Sequence, residues 1–220
     1  MEDQQQPAGP QPEQKFIGIE HEQEIILTKE ELELLSVKQA SRAVVSHFSS
    51  SSEPEEIWFK KDGSGETKRR LKSTICVDKE QLLHNVEFLF AAKLGAEIVN
   101  KTKFSGSGDD IKEATKIVVY MVREGAFFRH ETGMCNFNVA KMGPETEAVL
   151  NDIIDSVLAG CEQRVSQLII SKKTMIKALA DLLAGKPNFR MGKDEIQQFF
   201  SQYEADQLPP GGEGEEQAMR

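Results

Sequence analysis

The sequence predicts a mainly α domain carrying one small β-hairpin or sheet. Apolar residues recur at helical spacing in six segments between residues 28 and 203. Between the first two segments, EEIWFKK, the pair Asp62-Gly63 and ETKRRLKSTICV read as strand, tight turn and strand. Of the 220 residues, 39% are hydrophobic and 29% charged, which allows one buried core and suits one domain with tails.

The elements follow in order. Residues 1–15, MEDQQQPAGPQPEQK, are rich in Gln and Pro and too poor in apolar groups to pack, so a disordered tail is expected. FIGI and EIIL within 16–29 suggest a short strand or docking segment. Thr28 followed three residues later by Glu31 fits a capping box. The helix it opens should run through Leu32, Leu35, Ala40, Ala43, Val44 and Phe48, and SSSSEP should break it. Asp78 resembles the cap of a second helix, through Leu82, Val86, Phe90 and Leu94. A loop at 100–110 precedes a third, with Ile111, Ala114, Ile117, Val118, Met121 and Val122 on one face. Residues 123–144 show no clean period and read as an irregular loop. A long helix from about Glu145 presents Val149, Leu150, Ile153, Ile154, Cys161 and Val165. Shorter helices are expected at about 173–184 and 193–203, separated by Gly185-Lys186-Pro187, and an acidic disordered tail at 204–220.

Charge narrows the function classes. The net charge is −9, but residues 1–31 carry −6 of it and 204–220 carry −4, leaving the middle near +1. The folded region therefore has no overall basic character, and nucleic acid is not an expected partner. Three cysteines without close spacing give neither a disulfide framework nor a zinc-type CxxC pair, and are expected reduced, in or near the core. No signal peptide, transit segment or membrane span is read, so a cytoplasmic or nuclear protein is the default, with an organelle not excluded. GSGETK and FSGSGDD are Gly-rich, but neither fits GxxxxGK[ST], so no ATP site is expected.

Three stretches carry a resemblance. LSVKQASRAVVSHF (35–48) is followed by a linker and IWFKK. VDKEQLLHNVEFLFAAKLGAEIV (77–99) is followed by FSGSGDDIKEATKIVVYMVREG (104–125). TEAVLNDIIDSVLAGCEQRVSQLIISKKTMIKALADLLAGKPNFRMGKDEIQQFF spans 146–200. In this order they resemble the zinc-peptidase domain of FtsH-type AAA+ proteases: an HEAGHA-type helix with its strand, an SRSELL helix followed by a GASNDLEQAT helix, and a long terminal helix followed by LxxLAxxLL and DEI-type helices. The resemblance covers about 30–203 and implies an FtsH-peptidase-like helical fold there.

The departures decide what the resemblance implies. The family's HExxH motif places two zinc-binding His at i and i+4, with the Glu as general base. The matching positions here read Lys38-Gln39-Ala40-Ser41-Arg42. Lys38 and Arg42 are cationic at neutral pH and would repel a dication. Gln39 cannot accept a proton to activate water. Asp110 matches the family's third ligand, but one ligand of three makes no tetrahedral site. No catalytic residue, zinc or other cofactor is therefore expected. Asp110 would be a plain helix N-cap, or would pair with Arg42 or Lys38 across the old site as a staple replacing zinc.

Two weaker readings are an ordinary charged helix face at 38–42, and a cryptic metal site using His47, His84 or His130 with Asp110. The basic run Lys60, Lys61, Lys68, Arg69, Arg70 and Lys72 reads as a solvated hairpin tip, with docking of an acidic tail or nucleic acid as the alternative. The resemblance implies a non-catalytic binding, scaffold or regulatory subunit. Its partners would be copies of itself or an AAA+ protease subunit, since the family's domain assembles into hexameric rings. The alternatives are an ATP-independent zinc metallopeptidase with substituted ligands and a helical adaptor unrelated to proteases.

Overall fold

The computed structural model describes residues 26–103, 107–125, 127–132 and 142–207. The expected tail 1–15, most of the 16–29 segment, the chain beyond 207 and much of the 123–144 loop, with His21 and Cys135, lie outside the described residues.

Helix α1 (Lys29–His47) starts where the capping box puts it. Glu31 N donates to Thr28 Oγ1 at 3.2 Å and Thr28 N donates to Glu31 Oε2 at 2.8 Å, so two orphan donors are satisfied reciprocally. Strands β1 (Ser52–Phe59) and β2 (Gly65–Leu71) form the hairpin. Its tip needs Gly63, whose φ of 84° few side chains tolerate, and Asp62 accepts from both Ser64 N and Ser64 Oγ.

Beyond the hairpin, α2 (Lys79–Val99) is capped by Asp78, which accepts from Gln81 N at 2.8 Å. Helix α3 spans Gly108–Arg123, and α4 (Arg129–Thr132) is a single turn. The chain then forms α5 (Pro144–Ser171), α6 (Lys173–Ala184), strand β3 (Arg190–Gly192) and α7 (Lys193–Gln207). The predicted class holds: a mainly helical chain with one small three-stranded antiparallel sheet, in the order β2-β1-β3.

Four local differences have physical causes. β1 begins at Ser52, inside the SSSSEP stretch expected to be a break. Pro54 is accommodated because the β1–β2 register is irregular between Pro54 and Glu56, and β3 pairs only with Glu56–Trp58. β2 stops at Leu71, well short of Val77. β3 was not expected, because three residues carry no readable alternation. α7 runs to Gln207, four residues past its expected end. Tyr203 Oη donates to Thr174 Oγ1 at 2.8 Å, and Glu204 Oε1 meets His47 Nε2 at 3.1 Å. Among the cysteines, Cys161 is buried but Cys76 is exposed, which corrects the expectation that it would lie near the core.

Helix α1 is the centre of the fold. From Leu35 to Ser46 it is buried on nearly every side, packed by α2, α6 and the sheet. Small side chains (Ser36, Ala40, Ser41, Ala43, Ser46) make that enclosure possible. Ile57, Phe59 and Met191 cover it from the sheet's inner face, and Phe59 stacks on Phe189 with centroids 4.7 Å apart. α2 packs in turn against α3 and α5. Among the described residues no helix is long and apolar enough to cross a membrane.

The α1–α2 crossing yields a sign test. A Cβ on Gly95 would lie 2.1 Å from Ser41 Oγ and 2.6 Å from Ser41 Cβ. Helix propensity alone would make Gly95→Ala stabilising by about 1 kcal/mol. Overpacking of this kind costs ~1–3 kcal/mol. Urea denaturation should show net destabilisation by Gly95→Ala; a gain in stability would mean the helices do not cross this closely.

Candidate functional site

The site is built on the most enclosed stretch of α1. Lys38 and Arg42 are four residues apart and share one helix face. Gln39 is turned toward the sheet and is 2% exposed. The Thr67 hydroxyl on β2 lies 2.9 Å from Gln39 Oε1, to which it donates, and 3.2 Å from the Gln39 carbonyl oxygen. Gly65 leaves room for the rest of the amide, since a Cβ there would come within 2.7 Å of Gln39 Nε2. A carboxylate in place of this amide would be buried against a hydroxyl, a cost the neutral amide avoids.

Arg42 crosses to α3. Its Nη2 donates to Asp110 Oδ2 at 2.5 Å, with the two side chains 12% and 22% exposed. The pair joins residues 68 apart in sequence, on two helices that both pack against α2. Asp110 is therefore not a plain N-cap: Ser107 holds that place, without a side-chain cap bond, and Asp110 lies in the first turn of α3. A carboxylate there is also favoured by the positive end of the helix. The pairing with Arg42 is the second of the two roles considered for Asp110.

Lys38 sits half-buried beside the pair. Burial first, and the Arg42 charge second, hold its ammonium below the ordinary lysine pKa, while Asp110 pulls it back up. Arg69, from the supposed hairpin tip, completes the cluster. It points inward, donates through Nη2 to Asn85 Oδ1 at 2.9 Å, and lays its guanidinium 4.0 Å from the Phe88 ring centroid. Arg42 approaches the same ring at 5.6 Å. Burial, and then the Arg42 charge, push Arg69 down to about 10, so it remains a cation at neutral pH. Arg69 thus departs from the solvated-tip reading, whereas Lys60, Lys61, Lys68, Arg70 and Lys72 are exposed as expected.

The structure therefore brings Lys38, Arg42 and Asp110 together and turns Gln39 away into the sheet interface. Arg69 and Phe88 were missed. The signal for Arg69 was present: Lys68 and Arg70 on the outer face of a strand force the residue between them inward. His47 and His84 do not join this group. His47 meets Glu204 and stacks on Phe200, with centroids 3.8 Å apart, and His84 Nδ1 meets Ser51 Oγ at 2.9 Å. Among the described residues no group of three or more His, Cys, Asp or Glu is placed to hold a metal ion.

No protein-family profile matches the chain. Two curated proteins of Phytoplasma mali (strain AT), the ATP-dependent zinc metalloproteases FtsH 3 and FtsH 1, are each 26% identical to it over 113 residues. The match takes in 51% of this chain and spans only 18% of either protein's length. Over about half its length the chain is thus distantly similar to these FtsH proteins. The side chains at the positions matching the FtsH motif do not fit zinc. Two are cations, the third is a buried amide, and the carboxylate matching the remaining ligand is engaged by a guanidinium.

Two measurements check this geometry. Asp110→Asn leaves the Arg42 guanidinium without its counter-ion beside two other cations. It should cost about 2–4 kcal/mol, somewhat below the range for fully buried pairs. A double-mutant cycle with Arg42→Met should recover much of that as coupling, and strict additivity would mean the two do not interact. Lys38→Met should raise stability at pH 7, because it removes an ammonium that burial and Arg42 disfavour. With the folded pKa below the unfolded value, the penalty is complete below the folded pKa and fades as pH rises through it toward the unfolded value. The gain should therefore shrink in strongly alkaline buffer, and a gain that grows there would contradict the assignment.

Proposed function

We propose that the chain is a non-catalytic relative of the FtsH-type peptidase domain, acting as a binding, scaffold or regulatory subunit. The observation that carries this reading is the Arg42–Asp110 ion pair at 2.5 Å. A zinc peptidase needs three protein ligands with one open position, and a base that takes a proton from water. Here the residue matching the third ligand is tied to a guanidinium that replaces the second. Lys38 replaces the first ligand, and Gln39 offers an amide where a base is required. The ion pair spans α1 and α3, which supports a fold that needs no metal between them.

A chain of this kind works through contacts. Its partners would be further copies of itself or an AAA+ protease subunit, and its compartment the cytoplasm or nucleus. Affinity purification from the native cell with mass spectrometry tests this. Recovery of an AAA+ protease subunit supports co-assembly, and a self-associating chain without one supports the scaffold form.

Purified protein should hold no stoichiometric zinc and should not cleave casein. About one tightly held zinc per chain, removable by chelator with loss of cleavage, would instead establish the rival reading of a metallopeptidase with substituted ligands. Combining Lys38→His, Gln39→Glu and Arg42→His restores HExxH next to Asp110. The triple variant should gain zinc affinity with little hydrolysis of a short unstructured fluorogenic peptide. Ligand orientation rests on supporting hydrogen bonds whose loss commonly costs ~10–100-fold. No gain in zinc affinity in a folded variant would show that these positions do not converge on a metal site.

A further inference from the structure

We propose that Ser50 is a phosphorylation site, modified by a serine/threonine kinase that selects acidic residues following the serine. Five serines lie between residues 46 and 52, and the structure sets one of them apart. Ser46 Oγ and Ser52 Oγ meet at 3.0 Å, and both residues are 1% exposed. Ser51 Oγ meets His84 Nδ1 at 2.9 Å and Ser49 Oγ at 3.0 Å, and Ser49 Oγ also accepts from Ser51 N. Four hydroxyls are thus engaged in holding the turn between α1 and β1. Ser50 is the exposed one, and its hydroxyl has no hydrogen-bond partner among the described residues. By charge pattern alone Ser52 would compete, since Glu53 follows it directly and Glu55 lies three residues on. A kinase needs the attacking oxygen in line with the transferred phosphorus, and a buried hydroxyl cannot be brought there.

The residues around Ser50 fix the kind of kinase. Residues 43–49 contain no Lys or Arg, and Ser51 rather than a proline follows, so neither a preceding base nor a Ser-Pro pair marks the site. Glu53 lies three residues on and Glu55 five. Both carboxylates are on the surface, 48% and 40% exposed. Arg70 holds Glu53 at 2.6 Å, but an exposed pair of this kind is weak, and a basic kinase groove can replace it. Glu56 is 17% exposed and bound by Lys68 and Arg190, so it takes no part. In the transfer, Ser50 Oγ attacks the γ-phosphorus of a nucleoside triphosphate. The Oγ–P bond forms, the bond to the β-phosphate oxygen breaks, the nucleoside diphosphate leaves, and the hydroxyl proton passes to the kinase's base. The product carries about −1.5 to −2 charges at pH 7. It arrives just past the end of α1, where the helix dipole disfavours an anion. Two lysines nearby offset part of that charge. Lys172 Nζ is 4.4 Å from the ring centroid of Phe48, and Lys72 lines one cavity with Ser49 and Ser52.

The site is separate from the α1–α3 cleft, so it holds whether or not zinc binds there. The test is incubation of the folded full chain with magnesium-ATP and a purified serine/threonine kinase whose substrate groove is basic, followed by initial-rate measurement and phosphopeptide mapping by mass spectrometry. One phosphate should enter the 46–52 stretch, at Ser50. Ser50→Ala should remove it without moving it to a neighbour. Glu53→Gln, checked for folding by circular dichroism, should slow labelling of Ser50 about tenfold, as expected for loss of one charge-assisted contact to the kinase. Glu113→Gln, on the exposed side of α3, should leave the rate unchanged. A kinase that selects basic residues before the serine should label Ser50 at least tenfold more slowly. No phosphate at Ser50 would overturn the assignment, as would phosphate entering Ser49, Ser51 or Ser52 in its place. A rate indifferent to Glu53→Gln, or equal labelling by the two kinases, would overturn the acidic selection.

Discussion

The contact between Arg42 and Asp110 ties together parts of the chain that local forces alone would not align. α1 is set in place by its capping box and by small residues that let α2, α6 and the sheet close around it. α3 starts without a side-chain cap bond at Ser107. Its first turn is held toward α1 by the ion pair, with both helices resting on α2. A single ion pair is weak evidence for stability where water competes for it. This one is mostly removed from water, so breaking it leaves a charge stranded beside Lys38 and Arg69. The geometry is therefore enforced more by the cost of losing one partner than by the net value of the pair.

The same constraint explains the neighbourhood. Cations can crowd this closely only where something offsets their repulsion. Asp110 does so for Arg42, and the Phe88 ring does so in part for Arg69. At Lys38, burial first and the Arg42 charge second lower the pKa, and Asp110 pulls it back up. A metal site would require the reverse: neutral imidazoles and carboxylates facing an electron-poor centre. The Gln39 amide satisfies Thr67 and fills the space left by Gly65, so this side chain serves as packing between helix and sheet.

Much of this was readable from the sequence, and the exceptions have physical causes. The caps at Thr28 and Asp78 and the Asp62-Gly63 turn are local chemistry, and the structure follows them. The pairing of Arg42 with Asp110 was one of two roles open to Asp110, and became visible only by laying a known spacing over the chain. β3 escaped notice because three residues show no period, and its pairing depends on the distant Glu56–Trp58. The extension of α7 to Gln207 depends on His47 and Thr174, which local propensity does not see. Arg69 was grouped with its charged neighbours because a basic run reads as surface, yet strand alternation required it to face inward. Val149 stands 54% exposed although helical spacing placed it with the core residues of α5, because the covered stripe there runs through Leu150 and Ile154 instead.

The chain is similar to two FtsH proteases at 26% identity over half its length, which by itself shows no activity. The proposed loss of zinc chemistry turns on the polarity of one cleft. The most direct measurement is anomalous diffraction at the zinc absorption edge from crystals of the full chain grown with zinc present. The account predicts no anomalous peak between α1 and α3, and density for the Arg42 guanidinium against Asp110. A peak within bonding distance of Asp110, with Arg42 swung away, would contradict it.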